Sequence, residues 1–133
     1  MQLEVALYNY LSTYAGLIAL TSTRIYPNVL PQSPTYPAVT FEMISGPRVH
    51  AMGSDPGLTF PRYEFTCWGS TKASARAVAL QIIDALQDKT GTIGGTGGVT
   101  IQRIFLEDES DGESDPILSR YARIVEFIIW AEE

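Results

Sequence analysis

The chain has 133 residues, 45% of them apolar, and a formal net charge of −6 at neutral pH. That is one domain's worth of sequence, long enough to bury a core of its own. The acidic balance argues against a general nucleic-acid binder, which shows a basic stripe, and no apolar run reaches the ~18 residues that a membrane-spanning helix needs.

From Leu3 to Leu20 the apolar residues Leu3, Leu7, Leu11, Tyr14 and Ile18 recur at steps of three and four. That spacing predicts an amphipathic helix, with Gly16 as a candidate break. This N-terminal stretch carries an acid, Glu4, and no base, so the expectation is mature sequence rather than a signal peptide. A short strand is expected over Thr23 to Tyr26, followed by VLPQSPTYP, whose three prolines favour an extended surface loop. AVTFEMIS (Ala38 to Ser45) and PRYEFTCW (Pro61 to Trp68) alternate apolar and polar residues, the signature of half-buried strands. Between them, Gly46 to Phe60 carries three glycines and two prolines. It is too long for a tight hairpin turn.

Thr71 to Lys89 predicts the clearest helix. Ala75, Val78, Ala79, Ile82, Ile83 and Leu86 line one face, Ser70 or Thr71 serves as N-cap, and Gly91 stands where a helix-ending glycine belongs. Val99 to Leu106 and Arg120 to Trp130 are two further strands, the second apolar on both faces near its end and therefore expected at the centre of the sheet. The predicted class is α+β in one domain spanning 1–133. A mixed, mostly antiparallel sheet of about four to five strands packs on two helices, in the order α-β-β-β-α-β-β. Flexible loops are expected near 46–60, 91–98 and 107–117.

Chemistry is sparse. GTIGGTGGV (Gly91 to Val99) has the glycines of a phosphate cradle, but such cradles need a strand before the loop and a helix after it. Here a helix precedes, a strand follows, and no G-K-[ST] lysine is present, so the run is expected to be a joint. The acidic segment Glu107 to Asp115 lacks the alternating ligands and closing glutamate of a calcium loop. The single Cys67 and single His50 exclude an internal disulfide and a Cys/His zinc cage. Cys67 falls on the apolar side of its strand with Phe65, as a buried structural thiol does. Trp68 and Trp130 are expected to pack in the core or at its rim. With no nucleophile elbow, zinc-protease motif or paired catalytic carboxylates, no enzyme activity, metal or cofactor is expected.

The ordered stretches ALYNYLST, RIYP, PAVTFEMISG, PRYEFTCWG, ALQIIDAL and RIVEFIIW resemble the small tail-completion proteins of long-tailed bacteriophages and prophages, also called tail terminators or head–tail joining proteins. The resemblance covers nearly the whole chain. It implies a structural virion protein that forms a ring, usually a hexamer, on the head-proximal end of the tail tube. The ring would stop tube growth and join the tail to the head connector. The implied partners are further copies of the chain, the tail-tube protein and a head-completion or connector protein. DNA would pass through without specific binding, and no membrane is involved. The implied place is the virion tail, reached from the host cytoplasm during assembly.

Within that frame the loop residues Arg48, His50, Met52 and Asp55, with Phe60 and Arg62, are candidates for ring or tube contact. Glu107, Asp108, Glu109, Asp111 and Glu113 are candidates to line or rim the lumen, where like charge keeps DNA from sticking. Another small phage neck or minor tail component, such as a connector adaptor, is the alternative. A small hydrolase or nucleotide-binding protein would need His50, Asp55 and a loop hydroxyl to converge in a pocket.

Overall fold

A computed structural model describes residues 2–46 and 58–132. The element order is α1 (Leu3–Leu11), α2 (Ala15–Thr21), β1 (Ile25–Pro27), β2 (Ala38–Ser45), β3 (Leu58–Thr59), β4 (Arg62–Gly69), α3 (Lys72–Leu86), β5 (Gly91–Ile93), β6 (Val99–Asp115) and β7 (Arg120–Glu132). The strands form one sheet in the order β1-β2-β4-β7-β6-β5, with β3 pairing β7 beyond the reach of β4. Among the described residues only β1 with β2 is parallel, and every other pairing is antiparallel. The class is therefore α+β as expected, with more strands and one more helix than the sequence pattern foretold.

The three helices cover one face of this sheet. Leu3, Leu7 and Leu11 of α1, Leu17 of α2, and Val78, Ala79, Ile82 and Leu86 of α3 pack on Phe41, Phe65, Phe127 and Ile129 from the strands. Period-2 alternation puts those aromatic residues on the same side of adjacent strands. Phe41 and Phe65 stack at 5.5 Å, and Phe65 meets Phe127 edge-on at 5.7 Å. Cys67 lies fully buried among them, as expected. Burial pushes its thiol well above the ordinary range, so it stays protonated.

Three expectations need correction. The N-terminal helix is two helices, and the break falls at Ser12–Tyr14 rather than at Gly16, which lies inside α2. Thr13 Oγ1 donates to the carbonyls of Asn9 at 3.3 Å and Tyr10 at 2.9 Å, so a side chain competes with the next helical turn. The glycine run is more than a joint. Gly91–Ile93 pairs with Val99–Ile101 as a hairpin, and Gly94, Gly95 and Gly97 have positive φ in its turn. A Cβ on Gly98 would lie 2.0 Å from the Ile93 carbonyl oxygen, so the turn needs glycine there.

The third correction concerns Glu107 to Asp115, which is strand rather than loop. β6 runs through it, and only 116–119 form a turn. Cations opposite the acids make the extended pairing favourable. Arg123 reaches Asp111 at 2.7 Å and Glu109 at 3.3 Å, while Arg120 reaches Glu113 at 3.7 Å. Gly112 adds room, since a Cβ there would press on Ala122 and Ile124 at 3.0–3.1 Å.

Candidate interaction surfaces

Helices cover one face of the sheet; the opposite face is open. The alternation of β2, β4 and β7 directs Thr40, Glu42, Glu64, Thr66, Trp68, Ile124, Glu126, Ile128 and Trp130 to that face. The register brings Glu42 opposite Glu64, Glu64 opposite Glu126, and Glu126 opposite Asp108. Four carboxylates thus form a row across four neighbouring strands. Glu64, in the middle, is raised above its ordinary pKa by partial burial first, then by the charges of Glu126 and Glu42 and a hydrogen bond with Glu126. One cation stands beside the row: Arg62 lies 3.7 Å from Glu126 and 3.5 Å from Glu107.

Aromatic residues close both ends of the open face. Phe60 stacks on Trp130 at 4.8 Å. At the other end the Trp68 indole donates to Thr40 Oγ1 at 3.1 Å, and the Arg120 guanidinium lies 5.5 Å from the indole ring. Both tryptophans are therefore packed at the rim, as expected.

A second surface lies where β6 and β7 pass the start of α3. Thr71 caps this helix by accepting from the Ser74 amide at 3.0 Å. Lys72, Arg76, Arg123 and Asp111 line a cleft of about 420 Å³ there. A helix N-terminus with three cations nearby is the usual setting for an anion. The chain supplies its own: Asp111 lies 2.7 Å from Arg123 and 3.4 Å from Lys72. The Arg123 hydrogen bond, helped by Lys72, holds the Asp111 carboxyl below its ordinary range.

A third surface is a mostly apolar groove between α1 and the edge strand β1, lined by Val5, Tyr8, Ile25, Tyr26 and Pro27 together with Glu4 and Thr23. Among the described residues no cluster of His, Cys, Asp or Glu has the geometry of a metal site, and no helix is long and apolar enough to cross a membrane.

Of the residues expected at a ring or tube contact, Phe60 and Arg62 come together on the open face. Arg48, His50, Met52 and Asp55 lie outside the described residues. The acidic candidates divide between the two sides of β6. Asp108 joins the carboxylate row and Glu107 contacts Arg62, whereas Glu109 and Asp111 meet Arg123 on the helix side and Glu113 meets Arg120. Sequence reasoning missed Glu42, Glu64 and Glu126. A signal was present: each sits between apolar residues in F-E-M, Y-E-F and V-E-F. Only the strand register shows that the three line up.

The family model described as "Tail completion protein gp17" matches residues 5–132. The chain belongs to that family. The match runs from the first turn of α1 to the end of β7, so it takes in the open face, the β6–β7 hairpin and nearly all of the groove. The chain is accordingly a structural phage tail protein. Among solved structures it is similar to a chain of the "Virion of native gene transfer agent (GTA) particle". The TM-score is 0.71 at 19% identity, over 98% of this chain and 95% of that one. At that identity the likeness concerns the fold. No curated protein matches the chain.

Proposed function

We propose that this chain forms a ring, most simply a hexamer, on the head-proximal end of a phage tail tube. There it ends tube growth and joins the tail to the head connector. The observation that carries the proposal is family membership across residues 5–132. The fold shared with a chain of a phage-like virion supports it. The partners in this reading are further copies of the chain, the tail-tube protein and a head-completion or connector protein. The protein acts in the virion tail and assembles in the host cytoplasm, and residues 1–133 work as one unit.

In the ring the chain acts by shape and charge. DNA sliding through a pore is best served by a surface that repels phosphate and offers few cations. The open face supplies the repelling charge through Glu42, Glu64, Glu126 and Asp108, with Glu107 beside them. Glu109, Asp111 and Glu113 suit it less well, because Arg123 and Arg120 already answer their charge.

Deleting the gene from the parent phage or prophage and imaging lysates by negative stain tests the role. Overlong tubes, or finished tails beside filled heads that do not join, are expected. Normal virions would overturn the proposal. Tubes of normal length with unjoined heads would favour a connector adaptor.

A further inference from the structure

Two exposed apolar features stand on different parts of the chain. The first is the turn between β6 and β7, where Ile117 is 92% exposed and Leu118 60% exposed. This turn has a fixed conformation. The Asp115 carboxylate accepts from the Ile117 amide at 3.1 Å and from the Leu118 amide at 3.3 Å, and the Ser119 amide donates to the Pro116 carbonyl at 3.3 Å. Two large aliphatic side chains are thus held outward on a braced tip. The ordering cost of docking such a tip is largely met before any partner arrives.

The second feature is the groove between α1 and β1, about 520 Å³ in volume, with Val5 46% exposed and Tyr8 36% exposed along α1. β1 is an edge strand of only three residues, and its last, Pro27, has no amide hydrogen to offer a further strand. The groove is therefore built to take side chains rather than to extend the sheet. The tip cannot fill it within one copy, because β2 and β4 separate β1 from β7, three strand spacings or about 14 Å.

A knob on one patch and a groove on another make a heterologous contact, which repeats from copy to copy and closes into a ring when the rotation allows. We propose that the 116–119 turn of one copy seats Ile117 and Leu118 in the α1–β1 groove of the next. This rests on the ring reading above and names the surfaces that join its subunits. The tip sequence Pro-Ile-Leu-Ser carries no charge, so docking it desolvates no ion of its own. Among the described residues Glu4 is the one charged residue lining the groove.

The test places Val5→Cys and Leu118→Cys together in the full chain, expressed in cells that assemble particles. Cys67 is fully buried and stays silent toward reagents in solution. Isolated particles are treated with a short bismaleimide, separated on a denaturing gel, and imaged in parallel. A ladder of covalent multiples from the double variant, with only monomer from either single variant, is expected. A second pair, Tyr8→Cys with Ile117→Cys, covers the case in which the first pair disturbs assembly. Monomer from both double variants, in particles whose images show a ring at the tube end, overturns the knob-and-groove contact and leaves the ring standing. Parent particles, without any cysteine substitution, that show no such ring overturn the ring reading and this contact with it.

Discussion

Neutralising the middle of the carboxylate row should make the protein more stable. Glu64 faces Glu42 on one side and Glu126 on the other, and like charges directly opposite in a sheet destabilise it by a fraction of a kcal/mol to about 1 kcal/mol each. Glu64→Gln removes both repulsions while keeping the side chain's size and one hydrogen-bonding arm. The expected gain is about 0.5–1.5 kcal/mol at neutral pH and low salt, or a Tm higher by about 2–6 °C for a chain of this length. Folding raises the pKa of Glu64, so the native state holds that proton more tightly than the unfolded chain. The stabilisation from the bound proton is complete below the ordinary carboxylate range and is lost as pH rises through the raised value. The advantage of E64Q over the parent should therefore be small near pH 4 and grow toward pH 7. It should also shrink in about 1 M salt, where the screening length falls to about 3 Å. Glu126→Gln gives a useful contrast, because it also removes the 3.7 Å contact with Arg62 and should gain less. Thermal unfolding by circular dichroism across pH and salt measures all of this. A parent protein as stable as E64Q at neutral pH, or a gain indifferent to pH and salt, would refute the reasoning.

Other substitutions test the packing. Phe127→Ala empties the meeting point of the aromatic cluster and should cost about 3–5 kcal/mol, read as a lower denaturant midpoint. Gly69→Ala should abolish soluble folded protein, since the new Cβ would lie 2.5 Å from the Ala75 amide nitrogen where β4 turns into α3. Thr71→Ala removes the cap on α3 and should cost about 1 kcal/mol in urea unfolding, with Thr71→Ser restoring most of it. Cys67 should resist a thiol-specific reagent in native buffer and react once per chain in denaturant; native reactivity would contradict its burial.

Local pattern made much of the fold legible. Ala38–Ser45 is the strand that its alternation predicted, and α3 falls within the helix expected from 71 to 89. β7 lies between β4 and β6, where its two apolar faces placed it. Features that depend on distant partners were hidden. The acidic strand looked like a loop because its stabilising cations, Arg120 and Arg123, face it only once the hairpin has paired. The break after Leu11 arises from a threonine side chain bonding backward, an option that an apolar repeat does not reveal. The carboxylate row is a product of register: three glutamates, at positions 42, 64 and 126, become neighbours only when the sheet assembles. Phe60 and Arg62 were singled out for their place beside a long loop, and the open face they share is visible only in three dimensions.

Because β7 is flanked by β4 and β6 and also takes up β3, it is the keystone of the sheet, and it follows every other described strand in the chain. Before β7 is in place, the β1-β2-β4 half of the sheet has a bare inner edge at β4, and the β5–β6 hairpin has nothing to join. Contacts as far apart in sequence as Tyr63 with Phe127 must then close in one late step, which favours folding on the slower scale of non-local topologies. The sheet is therefore incomplete until β7 joins its two halves. A copy cut short before β7 would lack the strand that joins β4 to β6, and its sheet would stay in two pieces.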